Sequence, residues 1–495
     1  MSTTTSGPAA PAKPSVFEIE TNGINVIEES ERKGKPRSLF WPWFAANVSV
    51  LSVAYGAYAL GFGGGISFAQ ATVASIVGTV LSFLLVGAIS LAGKRGSAPT
   101  LVLSRAAFGV RGNGFPGVIS WILLVGWETM LVVLATEAAA TVIEKLWTGA
   151  DDNAVKIIAF IIVIALIVGG GVLGFDFIMK IQTWLTIILG IITVGYLIAS
   201  ASHIDLHAIS NVASGSGQST IGAAVMVMTA LGLGWVNSAA DYSRYLPRNA
   251  SGKQVVFWTT FGASIAPVIL IIFGLLLVAS QPGGASSDLG TGIGNDAIGA
   301  LAGILPTWYL IPFVLVAVGG LVSGAVMDIY SSGLTLLTIG LPVKRWQGSL
   351  VDGVIMFIGT IAIVWFAPNF SGPFMAFLSV VGVPISAWAG IFFGDMVLRR
   401  KDYDDKALYR PTGRYGSVNW TAVIGMAVLT IIGWGLEPAP SISWLGWVGF
   451  LFSPLHINQD VWGSAGLGIL VVIVLGFFVP FLYRGRTRAQ EATQE

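Results

Sequence analysis

AANVSVLSVAYGAYALGFGGG (45–65) and ALGLGWVNSAADYSRY (230–245) decide the fold. Each lies in an apolar run long enough to cross a bilayer, yet each carries a polar or glycine-rich stretch in mid-span. Asn47, Ser49 and Ser52 interrupt the first run, and Gly232 and Gly234 the second. Unwound backbone is tolerated at membrane depth only where it lines a cavity. Small residues also let helices pack closely, and either stretch alone reads equally well that way. Their order favours interruption. Counting spans along the chain places them first and sixth, where spans 1–5 and 6–10 forming inverted repeats would put two broken helices.

The rest of the chain supports a membrane setting. Hydrophobic residues make up 54% and charged residues only 10%, which leaves a water-soluble domain little charge for its surface. The charges cluster between runs such as 154–175 and 467–483, and about 20 apolar residues cross the hydrocarbon core. Apolar segments fall near 43–64, 69–92, 115–143, 154–174, 177–200, 219–240, 255–280, 308–338, 350–367, 373–398, 418–436 and 463–483. The chain reads as an all-α polytopic membrane protein with about 12 transmembrane helices. The stretch 441–455 is short and proline-broken, so it reads as interfacial or re-entrant.

Lysine and arginine mark the cytoplasmic loops. Arg32, Lys33, Lys35 and Arg37 precede the first span; Lys94, Arg95, Arg105 and Arg111 follow the second; Arg244, Arg248 and Lys253 follow the sixth. Further clusters at 344–345, 399–414 and 484–488 continue this face. Both termini are therefore expected in the cytoplasm, in a plasma-membrane protein. Residues 1–38 read as an N-terminal tail, 39–484 as the transporter domain and 485–495 as a C-terminal tail. The proline- and alanine-rich start lacks the apolar core of a cleaved signal.

Several classes find no support. Cysteine is absent, which removes thiolate chemistry. The histidines, His203, His207 and His456, lie in loops and never in HExxH spacing. The GFGGGIS run (61–67) lacks the lysine of a phosphate loop. The formal charge of +1 with no free-standing basic block argues against nucleic-acid partners. No cofactor and no obligate protein partner is expected beyond the bilayer. A channel or a non-transporting receptor would be separated from a carrier by saturable, gradient-dependent accumulation.

Ionisable groups inside a membrane are costly and usually functional. Glu128 and Glu137 lie in the third span and Asp328 in the eighth, with Asp241 and Asp395 near cytoplasmic helix ends. Asp328 reads as functional, Glu128 either way, and the other three as structural partners. Trp127 and Trp235 lie within spans, where an aromatic face can hold a flat heterocycle. Trp41, Trp43, Trp444 and Trp462 read as interfacial anchors.

The stretches FEIETNGINVIEESERKGKPRSLFWPWFAAN (17–47), GWE (126–128) and VMDIYSSGL (326–334) resemble the nucleobase:cation symporter-1 family, within its purine–cytosine permease branch. The likeness runs from Phe17 to the last span. It implies the five-plus-five inverted-repeat fold with broken helices 1 and 6 and two further helices. It also implies import of cytosine, purines, hydantoins, allantoin or pyridoxine with sodium or a proton.

The family's sodium site would map onto Ala45 and Val48 in the first span and Gly319, Val322 and Ser323 in the eighth. Val322 replaces one of two adjacent hydroxyls, and a hard cation wants several oxygens, so the resemblance points to a weakened sodium site. Proton coupling through Asp328 or Glu128 is then expected. Substrate contacts would map onto Ser49, Trp127, Glu128, Trp235 and Asp328. Leu131 stands where relatives often carry Asn or Gln. An ionised Asp328, in place of the family's Asn, accepts but cannot donate, which favours substrates presenting N–H groups.

Overall fold

The computed structural model describes residues 23–210, 212–438 and 445–492. Among these the regular structure is entirely helical. Ten helices are long and apolar enough to cross a membrane, and a bent pair makes an eleventh span. The 16-residue apolar helix Trp420–Gly435 is shorter. The helices used below are α1 (Phe40–Asn47), α2 (Leu51–Leu60), α3 (Phe68–Gly96), α4 (Gly114–Leu146), α5 (Asp152–Leu173), α6 (Phe175–Ser200), α7 (Gly217–Ala230), α8 (Gly232–Trp235) and α9 (Gly252–Ala279). They continue with α10 (Leu310–Ile339), α11 (Arg345–Phe366), α12 (Ser371–Leu398), α13 (Trp420–Gly435), α14 (Leu467–Phe478) and α15 (Arg484–Ala492).

The two sequence-marked interruptions are present. The first span bends by 68° between its halves α1 and α2. Val48 leaves the helical region with φ −80° and ψ 75°, and the Ser49 hydroxyl accepts the Leu51 amide at 3.3 Å. Polar residues compete with helical backbone bonding, which is why the break falls here. The sixth span stops at Leu231, whose φ −115° and ψ −101° are non-helical. One short turn, α8, and a 3-10 turn over Val236–Ser238 follow. Gly232 packs directly on the Ser82 backbone, where a side chain has no room.

Burial sorts the helices by position. The apolar window of α4 is 72% buried, against 28% in α5 and α11, so α4 is central and the other two are peripheral. Exposed apolar side chains such as Ile158, Ile161, Ile191, Ile198 and Ile358 form an outer surface suited to lipid rather than water. α10 packs along α4, while α9 packs against both α2 and α3.

The basic clusters gather on one face, together with both described chain ends. Arg32 donates from Nε to the Leu246 carbonyl at 2.8 Å and from Nη2 to that of Lys94 at 2.6 Å. Arg248 pairs with Glu29 at 2.9 Å and with Asp405. Ile27 is buried, and the Tyr409 hydroxyl donates to the Ile24 carbonyl. Residues 23–38 thus form a strap packed across this face, and residues 1–22 lie outside the described chain. At the other end, α15 is helical and also packed: Arg486 donates to the Tyr415 carbonyl at 2.7 Å. The segment read as interfacial is non-helical turn over 446–455, with 439–444, and so Trp444, outside the described residues.

Structural partners account for three of the carboxylates. Asp241 accepts from the Thr100 amide and hydroxyl at 2.8 and 2.7 Å. Glu137 pairs with Lys156 at 3.3 Å, and Asp395 with Arg399 at 2.6 Å. The expectation for Trp43 fails: it is fully buried, edge-on to Trp235 and Tyr242. Trp41 and Trp43 point about 200° apart on α1, so Trp43 faces the bundle while Trp41 stays exposed.

Candidate functional site

The two broken spans and the two central helices meet around one cavity. α1, α2 and the break between them contribute Asn47, Ser49, Ser52 and Tyr55; α4 contributes Trp127 and Leu131; the α7–α8 break contributes Leu231, and α8 Gly234 and Trp235; α10 contributes Gly320, Gly324 and Asp328. About 480 Å³ of space lies between them, including some open to solvent. Glycine at 320 permits this meeting, because a Cβ there would lie 2.9 Å from the Val48 carbonyl oxygen.

Aromatic rings brace the cavity. Trp127 is held edge-on by Phe374 and Phe377, with centroids 5.7 and 5.8 Å away. Its indole rests beside Gly234, where a Cβ would approach Nε1 to 2.8 Å. Trp235 is held edge-on by Trp43 at 5.7 Å. Such packing fixes ring orientation before a ligand arrives, which lowers the ordering cost of stacking. Asp328 puts a carboxylate at the cavity edge, and Ser49 a hydroxyl.

Four of the five expected substrate residues, Ser49, Trp127, Trp235 and Asp328, therefore line one space. Glu128 does not. Successive residues on a helix point about 100° apart, so with Trp127 facing the cavity Glu128 turns away into the bundle, fully buried. Neither of its carboxylate oxygens has a hydrogen-bond partner.

The expected cation position lies where α1 meets α10. There the Ser323 hydroxyl lies 3.2 Å from the Ala45 carbonyl oxygen and 2.6 Å from Gln182 Oε1. Gln182 Nε2 donates in turn to the Ser323 carbonyl at 3.0 Å. Val48 directs its carbonyl at Gly320, Gly319 faces Leu189 of α6, and half-buried Val322 has no side-chain oxygen. A hard cation needs several free oxygens. Here the serine hydroxyl donates to a carboxamide and keeps its oxygen lone pairs, while Val322 adds no side-chain oxygen beside it. No group of three or more His, Cys, Asp or Glu side chains among the described residues could hold a metal.

Gln182 and Asp352 went unmarked in the sequence. Asp352 is fully buried in α11, accepting from Trp121 Nε1 at 2.7 Å and from the Ser332 hydroxyl at 2.6 Å. The signal was a carboxylate seven residues beyond Arg345, inside the apolar run.

A family model described as a permease for cytosine/purines, uracil, thiamine and allantoin matches residues 26–448. This chain belongs to that permease family. The permease is 24% identical over 429 residues to YxlA of Bacillus subtilis, provisionally named a purine-cytosine permease, covering 84% of this chain and 87% of that one. It is 25% identical over 370 residues to the cytosine permease of Escherichia coli K12, covering 74% and 78%. Among solved structures it resembles Mhp1, a nucleobase-cation-symport-1 family transporter, closed with bromovinylhydantoin bound, with TM-score 0.66, 19% identity and 96% and 97% coverage. Inward-facing Mhp1 gives 0.64 at 20% identity, covering 96% and 99%. A Na+-coupled sialic acid symporter gives 0.57 at 13% identity, covering 92% and 91%. The permease is thus a multi-pass membrane protein of a transporter family, with the fold of these symporters.

Proposed function

We propose that this permease imports a nucleobase or related nitrogen heterocycle, cytosine or a purine first, by proton symport through alternating access. It would act in the plasma membrane with the strap and α15 in the cytoplasm, on the face that gathers the basic loops. The observation that carries this reading is the cavity that sets Trp127 and Trp235 beside Asp328 between two broken spans. A flat ring stacks on indole, and its N–H edge donates to the carboxylate. The same carboxylate suits N–H-rich hydantoin or allantoin, and the bromovinylhydantoin bound in Mhp1 makes these the second reading. Proton rather than sodium coupling is supported by the side-chain oxygen missing at Val322.

Uptake into proteoliposomes tests both parts, with a panel of cytosine, adenine, hypoxanthine, uracil, allantoin, hydantoin and pyridoxine. One heterocycle is expected to accumulate under an inward proton gradient, unchanged when sodium is replaced by potassium. Accumulation driven by a sodium gradient alone would refute the coupling, and accumulation of none of the panel would refute the substrate class. Asp328→Asn is expected to weaken binding of the transported heterocycle about tenfold, the low end for losing a charge-assisted hydrogen bond. Unchanged affinity on titration would remove Asp328 from the site.

A further inference from the structure

Behind the Trp127 face of α4 lies a second polar cluster, outside the cavity. Glu128 is fully buried there with both oxygens unpartnered. Its charged neighbours are acidic: Asp352 of α11 and Asp328 of α10. The Ser332 hydroxyl of α10 also faces Glu128 without closing a hydrogen bond to it, and it does bond Asp352 at 2.6 Å.

The other helices packed on α4 bring no free cation to the cluster. On α5, Lys156 pairs with Glu137 and Asp152. On α12, Asp395 pairs with Arg399. Arg345, at the start of α11, donates to the Val172 carbonyl at 2.9 Å and lies over the Tyr330 ring. An ionised carboxylate buried without a partner costs several kcal/mol. A cluster of this composition is suited to passing a proton.

Depth gives the cluster a direction. Asp352 is seven residues into α11 from the strap-bearing face, about 10 Å, and Glu128 is fourteen residues into α4, about 21 Å. The serine hydroxyl stands between them.

We propose that Glu128 takes up the coupling proton and releases it to the cytoplasmic face through Ser332 and Asp352, leaving Asp328 to read the substrate. The inference rests on the proton-symport reading above. In the release step the Glu128 O–H bond breaks and its proton moves to Ser332 Oγ. The serine proton passes to Asp352 Oδ2, so Ser332 is unchanged overall. When the permease opens inward, water reaches Asp352, buried in the present state, takes its proton and leaves it a carboxylate. Closing the gap from Glu128 to Ser332 takes a side-chain rotation.

The test uses the full chain in proteoliposomes with entrapped pyranine. Glu128→Gln, Asp352→Asn and Ser332→Ala are compared with wild type in two assays: exchange of labelled against preloaded heterocycle without a gradient, and accumulation under a proton gradient. Exchange is expected within about threefold of wild type in all three. Gradient-driven accumulation and substrate-linked pyranine acidification are expected to fall at least tenfold in Glu128→Gln and at least fivefold in the other two.

Wild-type accumulation in Glu128→Gln would overturn the proposal. So would parallel loss of exchange and accumulation in all three variants, which marks a structural role; Ser332→Ala, which leaves the Trp121–Asp352 bond intact, guards against misfolding of one variant. If wild type exchanges heterocycle with no acidification, the proton-symport reading itself fails, a result distinct from failure of the route.

Discussion

Replacing Trp127 with alanine is expected to weaken heterocycle binding by about 10- to 100-fold, since stacking on an aromatic face is worth about 1–3 kcal/mol per base. The ring is pre-set by Phe374 and Phe377 and rests beside Gly234, so little of that energy goes to ordering it. Trp127→Phe keeps a stacking face and is expected to recover most of the loss. Binding of radiolabelled substrate to purified protein measures both variants, and gel filtration checks their folding. Wild-type affinity in Trp127→Ala would mean that the heterocycle binds elsewhere.

The second large effect is on stability. Asp395 and Arg399 pair at 2.6 Å with side chains 0% and 3% exposed. The guanidinium also donates to the Ala106 carbonyl and to Gln490 Oε1, each at 2.9 Å, and lies over the Tyr415 ring. It therefore ties α12 to the loop before α4, to α15 and to the loop after α12. Arg399→Ala leaves Asp395 buried and uncompensated, a loss of about 3–5 kcal/mol. A thermal melt in detergent is expected to show a markedly lower midpoint. The double variant Asp395→Leu, Arg399→Met removes both charges and is expected to recover much of the drop. A midpoint for Arg399→Ala equal to wild type would show that the pair contributes nothing net.

The bilayer's demand that backbone polar groups be satisfied made both interruptions legible, because Asn47, Ser49, Gly232 and Gly234 stand out in apolar runs. The basic clusters likewise identified one face, on which the described chain ends now lie. Directions around a helix were harder. Trp127 and Glu128 are neighbours in sequence, and nothing in GWE says which faces the cavity, since that depends on the packing of α10 and α11.

Asp352 stands near the start of the apolar run 350–367, and its partners Trp121 and Ser332 are 231 and 20 positions away. Gln182 is one polar residue in an apolar span, and its partner Ser323 is 141 positions away. Trp43 resembled an interfacial anchor because the face of α1 that meets Trp235 and Tyr242 is set by tertiary packing. What a side chain is was readable; what it meets was set by helices far along the chain.

The strap has a consequence for how the molecule is made. Its residues leave the ribosome before every span, yet Arg32 closes on Leu246, 214 positions later, and Ile24 on Tyr409, 385 positions later. The strap can make its last contact, with Tyr409, only after the ten spans that precede that residue have been made. Until then these contacts of the strap must wait unmade, and their closure reports that the chain has been built through Tyr409.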